Sequence, residues 1–166
     1  MSLQLLSLHL VTERLVMRPW SLADVGDYRA LVAERGGPMP TEIDIRDRIT
    51  TQLAATSRTG LALLPLRRLV EGDFIGYCGL LVVRASIEEP ELAFELFRHA
   101  HNQGYATEAA RAVLDVAIAS GRSRLWSTVR TWNAPSLRVL DNLGFARDHT
   151  SEDDAGELVW LTRSLR

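Results

Sequence analysis

Apolar residues recur along this chain at two spacings, and each change of spacing marks a boundary between a helix and a strand. Spacing of three and four residues buries one face of a helix and predicts four helices. They cover residues 21–34, residues 44–58, a segment from Gly104 to a stop at Ser120-Gly121, and a segment from Pro135 to Gly144-Phe145. Runs of β-forming or alternating residues predict strands at residues 10–18, 61–69, 74–83, 91–97, 125–130, 146–150 and 158–164.

The order of these elements predicts a mixed α/β fold. Strand 91–97, the helix after it and strand 125–130 form a right-handed crossover unit, which makes the two strands parallel. The sequence also predicts turns of antiparallel hairpins at Glu71-Gly72-Asp73 and at residues 151–156. We therefore expect one domain, residues 1–166, with a partly parallel sheet.

The composition is that of an ordinary soluble globular protein and narrows the function classes. Hydrophobic residues make up 46% and charged residues 24% of the 166 residues. The formal net charge of -2 argues against a nucleic-acid partner, because nucleic-acid-binding domains are usually strongly basic. Cys78 is the single cysteine, which excludes an internal disulfide and a cysteine-cluster metal site and favours a reducing compartment. Residues 1–11 are too short and polar to span a bilayer and lack signal-peptide features, so we expect a cytoplasmic protein without a membrane partner.

The stretch from residue 91 to residue 115 carries the strongest functional signal. It reads ELAFELFRHAHNQGYATEAARAVLD, which is a strand, a polar loop and the start of a helix. The first N–H groups of a helix have no partner within it, and the helix dipole adds partial positive charge there. Gly104 allows the backbone to approach a ligand closely. The loop therefore predicts an anion site suited to phosphate.

Two motifs resemble those of the GCN5-related N-acetyltransferases, the GNAT superfamily. The first is Glu91-Leu92-Ala93-Phe94 followed by QGYATEA at residues 103–109, and the second is NAPSLRVLDNLGF at residues 133–145. They stand in the family's order, about 30 residues apart, which is more specific than a glycine-rich loop alone. The resemblance is closest to the branch of the ribosomal-protein-alanine N-acetyltransferases and covers most of the chain.

The resemblance implies both a fold and an activity. The GNAT fold is an α/β fold with a mixed central sheet, splayed parallel strands and flanking helices. Family members move an acetyl group from acetyl-CoA directly to an amine in a ternary complex, without a metal. The acceptor would be a primary amine of a protein N-terminus or of a small molecule, and a homodimer and a monomer both remain open. The alternative to an enzyme is a non-catalytic acyl-CoA-binding module. Two departures from the family pattern favour it: His101 and Asn102 differ from the family's loop, and Leu140 replaces a common catalytic tyrosine.

The same resemblance assigns the cofactor contacts. Backbone N–H groups of residues 102–107 would hold the diphosphate, the edge of the preceding strand would hold the pantetheine arm, and an N–H near Leu96 would bind the thioester oxygen. Asn133 matches an asparagine that bonds the pantetheine arm, with a helix-capping role as the alternative. His101 would aid phosphate binding if protonated, and Arg98 would meet either phosphate or solvent. The expected cofactor-binding residues are Phe94, Leu96, Phe97, Arg98, His101, Asn102, Gln103, Gly104, Tyr105, Ala106, Thr107, Asn133 and Ser136.

Catalysis needs a base, since only a neutral amine attacks, and an acid for the departing thiolate. Glu91 is the first candidate for the base because it matches the glutamate of the family motif. Glu95 is the second, since it shares a face of the strand. A structural carboxylate paired with arginine or water is the alternative for both. Ser136 is the candidate acid, with an ordinary helix serine as its alternative, and the acidic run at residues 152–154 either attracts a cationic acceptor or forms a solvated turn.

Overall fold

The chain alternates between strands and helices that build one mixed sheet with helices on both faces. The computed structural model describes residues 2–166. The strands are β1 (Leu10–Val11), β2 (Leu15–Met17), β3 (Leu63–Arg68), β4 (Phe74–Leu81), β5 (Glu91–Leu96), β6 (Arg124–Arg130), β7 (Ala146–Asp153) and β8 (Gly156–Ser164). The helices are α1 (Val25–Glu34), α2 (Glu42–Thr59), α3 (Tyr105–Ala119) and α4 (Ala134–Asn142).

The sheet confirms the predicted mixed α/β architecture. Its strand order is β1-β2-β3-β4-β5-β6-β8-β7. Neighbouring strands run antiparallel except for β5 and β6, which are parallel and are connected by α3. Across residues 2–166, no helix has the combination of length and apolar character that crossing a membrane requires.

The strand predicted at residues 10–18 is instead a short hairpin of β1 and β2. The turn is closed by the Thr12 N–H, which donates to the Leu15 carbonyl at 2.9 Å. The Thr12 hydroxyl and the Arg14 N–H both donate to the Glu108 carboxylate, which lies in the first turn of α3. The alternation of apolar residues did not indicate this turn, because its anchor is 94 to 96 positions away along the chain.

Two clusters of buried apolar side chains pack the helices against opposite faces of the sheet. On β4, the adjacent residues Tyr77 and Cys78 point to opposite faces, as residues of a strand do. Cys78 belongs to the larger cluster under α3 and α4, and Tyr77 packs against the smaller cluster under α1 and α2. The sheet therefore separates two layers of helices, α3 with α4 and α1 with α2. A gap between two strands of the sheet is open to both layers.

The strands β5 and β6 separate soon after they start. Among the described residues they pair at a single position, where Glu91 lies opposite Trp126. The Trp126 N–H donates to the Pro90 carbonyl at 3.0 Å, and the Ser127 hydroxyl donates to the Leu92 carbonyl at 2.8 Å. Beyond these contacts the strands diverge, as the GNAT resemblance implies, and leave a wedge at their carboxyl ends.

Candidate active site

A cleft of ≈ 750 Å³ opens at this wedge. Its walls come from the end of β5, the loop that follows it, and the neighbouring parts of α1, α3 and α4. Small-ligand sites usually have volumes of about 300–1,000 Å³. Most of the residues predicted to bind the cofactor line the cleft, namely Phe94, Leu96, Arg98, His101, Asn102, Gly104, Tyr105, Ala106, Thr107, Asn133 and Ser136.

Phe97 and Gln103 are the predicted cofactor residues that do not line the cleft. Phe97 packs edge-on against Phe74, with their ring centroids 5.9 Å apart. The Gln103 side-chain amide donates to the His99 carbonyl at 2.8 Å. Both side chains therefore support the loop from outside the cleft.

The loop before α3 has the geometry of an anion cradle. Asn102 and Gly104 both adopt left-handed backbone conformations, with φ values of 60° and 81°. Gly104 is the N-cap of α3, and no side chain caps this helix end. The first N–H groups of α3 therefore lack intrahelical partners and carry the positive end of the helix dipole toward the cleft. This arrangement suits a phosphate group.

Arg14 braces the cradle from behind, a role that sequence reasoning missed. Its guanidinium donates to the Gln103 carbonyl at 2.9 Å and to the Glu108 carboxylate at 2.7 Å. It also lies 4.2 Å from the centroid of the Tyr105 ring. The hydrogen bond that Arg14 donates to Glu108 raises the pKa of Arg14. The hairpin of β1 and β2 thus fixes both sides of the turn into α3.

His101 and Arg98 have protein partners that the sequence did not indicate. The Nε2 atom of His101 lies 2.9 Å from the Leu96 carbonyl oxygen. A carbonyl oxygen only accepts hydrogen bonds, so Nε2 carries a proton in this contact. The Arg98 guanidinium donates to the Glu34 carbonyl at 2.9 Å, and the Arg98 N–H donates to the Glu34 carboxylate at 3.0 Å. Both residues tie the loop to its surroundings, and Arg98 joins it to the end of α1.

The exposed edge of β5 offers backbone groups to the cleft. The Phe97 N–H donates to the Ile75 carbonyl on the β4 side at 2.9 Å. The N–H groups of successive residues in a strand point to opposite edges. Since the Phe97 N–H points to β4, the N–H groups of Phe94 and Leu96 point toward the wedge. The Leu96 carbonyl on this edge accepts from His101. The edge therefore provides donors for an amide-bearing chain or a thioester oxygen.

Glu91 does not reach the cleft. Its carboxylate is buried, with the residue 3% exposed, and lies at the closed end of the wedge. It accepts hydrogen bonds from the N–H groups of Val83, Arg84 and Ala85 at 2.8, 2.7 and 3.3 Å. Glu91 therefore anchors the loop between β4 and β5, and the structure does not bring this first candidate base to the predicted cofactor residues.

Glu95 does line the cleft, and it is paired there with Arg35 from the end of α1. The pair is bidentate, with Nε to Oε2 at 2.7 Å and Nη2 to Oε1 at 2.5 Å. The hydrogen bonds that Arg35 donates to Glu95 raise the pKa of Arg35. Tyr77 lies opposite Glu95 on β4, and burial raises the pKa of its phenol. Sequence reasoning missed Arg35 and Tyr77, because only the packing of α1 on β4 and β5 brings them to Glu95.

Asn133 and Ser136 stand at the start of α4, on the opposite wall. The Asn133 side-chain oxygen accepts a hydrogen bond from the Ser136 N–H at 3.3 Å. Asn133 therefore caps α4, as the alternative interpretation of this residue predicted. Within residues 2–166 the structure gives no hydrogen bond to the Asn133 amide nitrogen or to the Ser136 hydroxyl. Both residues line the cleft, so these two polar groups are available to a ligand there.

The acidic run at residues 152–154 is partly neutralised. Asp153 pairs with Arg130 at 2.8 Å and with Arg84 at 3.5 Å. The hydrogen bond from Arg130 contributes most to lowering the pKa of Asp153 to about 2. Asp153 does not line the cleft. It therefore holds the β7–β8 hairpin to β6 and has little charge left to attract a cationic acceptor.

A family model described as an acetyltransferase (GNAT) domain matches residues 14–146, most of the chain. The chain belongs to the acetyltransferase (GNAT) family. The curated "Uncharacterized N-acetyltransferase p20" of Bacillus licheniformis is 27% identical over 82 residues, which cover 49% of this chain and 46% of that protein. The match thus spans about half the length of this relative.

Solved structures of GNAT proteins share the fold over nearly the whole chain. One, assigned to the GnaT-family acetyltransferases of Bordetella pertussis, is 26% identical with a TM-score of 0.83 and covers 93% of this chain and 98% of its own. RimL, a ribosomal L7/L12 α-N-protein acetyltransferase in complex with coenzyme A, is 13% identical with a TM-score of 0.81 and covers 93% of this chain and 96% of its own. At 13% identity, the likeness to RimL concerns the fold alone. In residues 2–166, no cluster of three or more histidine, cysteine or carboxylate side chains is arranged to hold a metal.

Proposed function

We propose that this GNAT protein is an acetyl-CoA-dependent N-acetyltransferase that acetylates a primary amine by direct attack in a ternary complex. The observation that carries the proposal is the convergence of three features in one cleft. They are the uncapped start of α3, the open edge of β5 and the carboxylate of Glu95. An anion site, a row of backbone donors and a proton acceptor are the elements that an acyl transfer from coenzyme A to an amine requires.

The residues of the cleft fit the parts of coenzyme A. The N–H groups at the start of α3 suit its diphosphate, and Arg138 on α4 adds a positive charge to the same cleft. The free N–H groups of Phe94 and Leu96 and the amide nitrogen of Asn133 suit the amide groups of its pantetheine arm. Acetyl-CoA would supply an activated acetyl thioester. We expect the Leu96 N–H to bind the thioester oxygen, as an oxyanion donor does.

We assign the base role to Glu95 in place of Glu91. Glu95 lies in the cleft and remains accessible, with 26% of its side chain exposed. It accepts a proton from the incoming ammonium, directly or through water, so that the neutral amine attacks. Ser136 donates a hydrogen bond to the departing sulfur. The nitrogen gains a bond to the acetyl carbon, the carbon–sulfur bond breaks, the sulfur takes one proton, and one proton passes to solvent.

Calorimetric titration with acetyl-CoA tests the first half of the proposal, with desulfo-CoA and dephospho-CoA as comparison ligands. We expect micromolar binding that survives removal of the sulfur, because the cradle and the strand edge contact other parts of the molecule. An amine panel, followed by release of the coenzyme A thiol, tests the second half. Binding without transfer to any amine would favour the acyl-CoA-binding module, and no binding would overturn the proposal altogether.

A further inference from the structure

Arg35 and Glu95 form an ion pair that is both accessible and located in the cleft. Their side chains are 41% and 26% exposed. Both residues line the same cleft as the predicted cofactor residues. A surface ion pair contributes little to stability, typically about 0–1 kcal/mol, so the fold does not depend strongly on this pair. Its two opposite charges are therefore available to a ligand that offers two charges in return.

Other charged groups of the cleft have separate roles. Arg98 and Glu34 bind each other through backbone and side-chain groups. Arg138 lines the cleft from α4, the helix that also carries the predicted cofactor residue Ser136. His101 is bound to the Leu96 carbonyl. This leaves Arg35 and Glu95 as adjacent opposite charges on the α1 side, which is the side left for an acceptor when the cofactor lies along the start of α3.

We propose that the acceptor is a free α-amino acid or a similarly small zwitterion, whose ammonium binds Glu95 while its carboxylate binds Arg35; this inference rests on the proposed function. The ligand would exchange one protein ion pair for two ligand ion pairs. Arginine binds a carboxylate with two parallel hydrogen bonds, as Arg35 already does with Glu95. The same exchange brings the ammonium to the proton acceptor.

Other amines satisfy the pair less well. A peptide N-terminus carries an amide in place of the α-carboxylate, so Arg35 would lose Glu95 as a partner and gain no anion. A diamine or polyamine would bring a second positive charge close to Arg35. Leaving a partly desolvated charge without a partner costs binding free energy. The pair therefore favours a zwitterion over both of these acceptor classes.

The surroundings of the pair suit a small side chain. Tyr77 and Leu31 line the cleft beside Arg35 and Glu95, and both present apolar surface. The cleft volume of ≈ 750 Å³ must hold the pantetheine arm as well as the acceptor. The acceptor therefore has only part of this volume, which favours a small molecule.

The reaction balances as a simple acyl transfer. Glu95 takes one proton from the ammonium and later releases it to solvent. The nitrogen forms a bond to the acetyl carbon, and the carbon–sulfur bond breaks with its electron pair going to sulfur. The second proton leaving the nitrogen goes to that sulfur. The products are an N-acetylamino acid, coenzyme A and one proton.

The test compares the common L-α-amino acids with their carboxamides and their decarboxylated amines, using the full chain and acetyl-CoA. Acetyl-CoA binding is first measured by calorimetry, so that failure of the proposed function is detected separately. We expect the preferred amino acid to exceed its amide and its amine in kcat/KM by at least about tenfold, the effect of one ion pair of about 1.4 kcal/mol. Arg35→Gln should abolish this preference and leave acetyl-CoA affinity unchanged. Arg35→Lys should restore part of it.

A control variant matched to Arg35→Gln removes a positive charge outside the cleft. Arg46 is exposed on α2 and lies outside the cleft, so Arg46→Gln should keep the preference for amino acids. Equal use of amides or amines, a preference for dipeptides, or a preference that survives Arg35→Gln would overturn the inference. The same holds if amines are acetylated and no amino acid is, in which case the proposed N-acetyltransferase function would stand. Absence of acetyl-CoA binding would overturn both.

Discussion

Arg14 and Glu108 join the hairpin of β1 and β2 to the first turn of α3 through a contact of 2.7 Å between Nε and Oε1. The same arginine donates to the Gln103 carbonyl, immediately before the left-handed turn into α3. The conformation of the cradle therefore depends on a residue that does not line the cleft.

Arg14→Ala should weaken acetyl-CoA binding about fivefold, equivalent to about 1 kcal/mol, because the cradle loses its brace. The dissociation constant from calorimetry checks this. Arg147→Ala serves as the control, since Arg147 is exposed on β7. Equal affinity in the wild type and in Arg14→Ala would show that the loop holds its shape without Arg14.

Glu95→Gln and Glu91→Gln should separate catalysis from stability. Glu95→Gln removes the proposed base and should lower kcat/KM about a hundredfold, with acetyl-CoA affinity unchanged. Glu91→Gln keeps an acceptor for the N–H groups of the β4–β5 loop but removes its charge. We expect it to lower the free energy of unfolding by about 1–2 kcal/mol, because charge-assisted hydrogen bonds are stronger than neutral ones. Steady-state kinetics and denaturant unfolding of both variants measure the two effects, and the reverse pattern would return the base role to Glu91.

The sequence could place Glu91 and Glu95 on one face of β5 but could not choose between them. Side chains of a strand alternate, so residues four apart share a face. They also lie about 13 Å apart along the strand. Which of them reaches the cleft depends on where β5 and β6 separate, and this is set by long-range contacts such as that of Ser127 with Leu92.

The cradle could be predicted because its determinants are local. A strand, a polar loop with Gly104 and a helix start lie within one short segment. Arg35 could not be assigned in this way, since its partner Glu95 is 60 positions away. The sequence showed that the helix before Gly36 ends there, but only the packing of α1 shows what its last turn contacts.

Gly104→Ala should disturb the cradle. Gly104 has φ of 81°, and an added Cβ would lie 3.3 Å from the Arg14 guanidinium. A left-handed conformation costs an alanine about 1–2 kcal/mol, so we expect a lower melting temperature and weaker acetyl-CoA binding. Asn102→Gly is the matched variant, because glycine adopts the φ of 60° at this position freely. It should leave acetyl-CoA affinity unchanged, and a loss equal to that of Gly104→Ala would reveal a ligand contact of the Asn102 side chain.

Asn133→Asp should distinguish the capping role of Asn133 from its ligand role. Aspartate still accepts the Ser136 N–H and is an equally good N-cap, so the melting temperature should not fall. It lacks the amide donor that faces the cleft, so the dissociation constant of acetyl-CoA should rise. Asn133→Ala, which removes both functions, should lower the melting temperature as well. If Asn133→Asp binds acetyl-CoA as the wild type does, Asn133 is a helix cap alone.

Acid should weaken the contacts that hold the start of α1, because it protonates Asp24 directly before this helix. The position of Arg35 at the other end of α1 should then be sensitive to acid as well. Asp24 is fully buried and accepts from Arg18 at 2.9 Å and from Arg67 at 3.0 Å. Burial acts to raise the pKa of Asp24, but the hydrogen bonds from Arg18, the Ser21 N–H and Arg67 outweigh it and lower the pKa.

Because the folded pKa lies below the unfolded value of about 3.9, the stabilisation is present above that pH and is lost as the pH falls through the folded pKa. Asp24→Asn should therefore lower the free energy of unfolding on the order of 3 kcal/mol at pH 7. The difference from the wild type should begin to shrink below about pH 4, where the unfolded chain takes up a proton, and should be smallest below the folded pKa, where the folded carboxylate is protonated as well. Urea unfolding of both proteins across this pH range measures the difference, and a gap that stays constant with pH would show that the ionised form of Asp24 does not stabilise the fold.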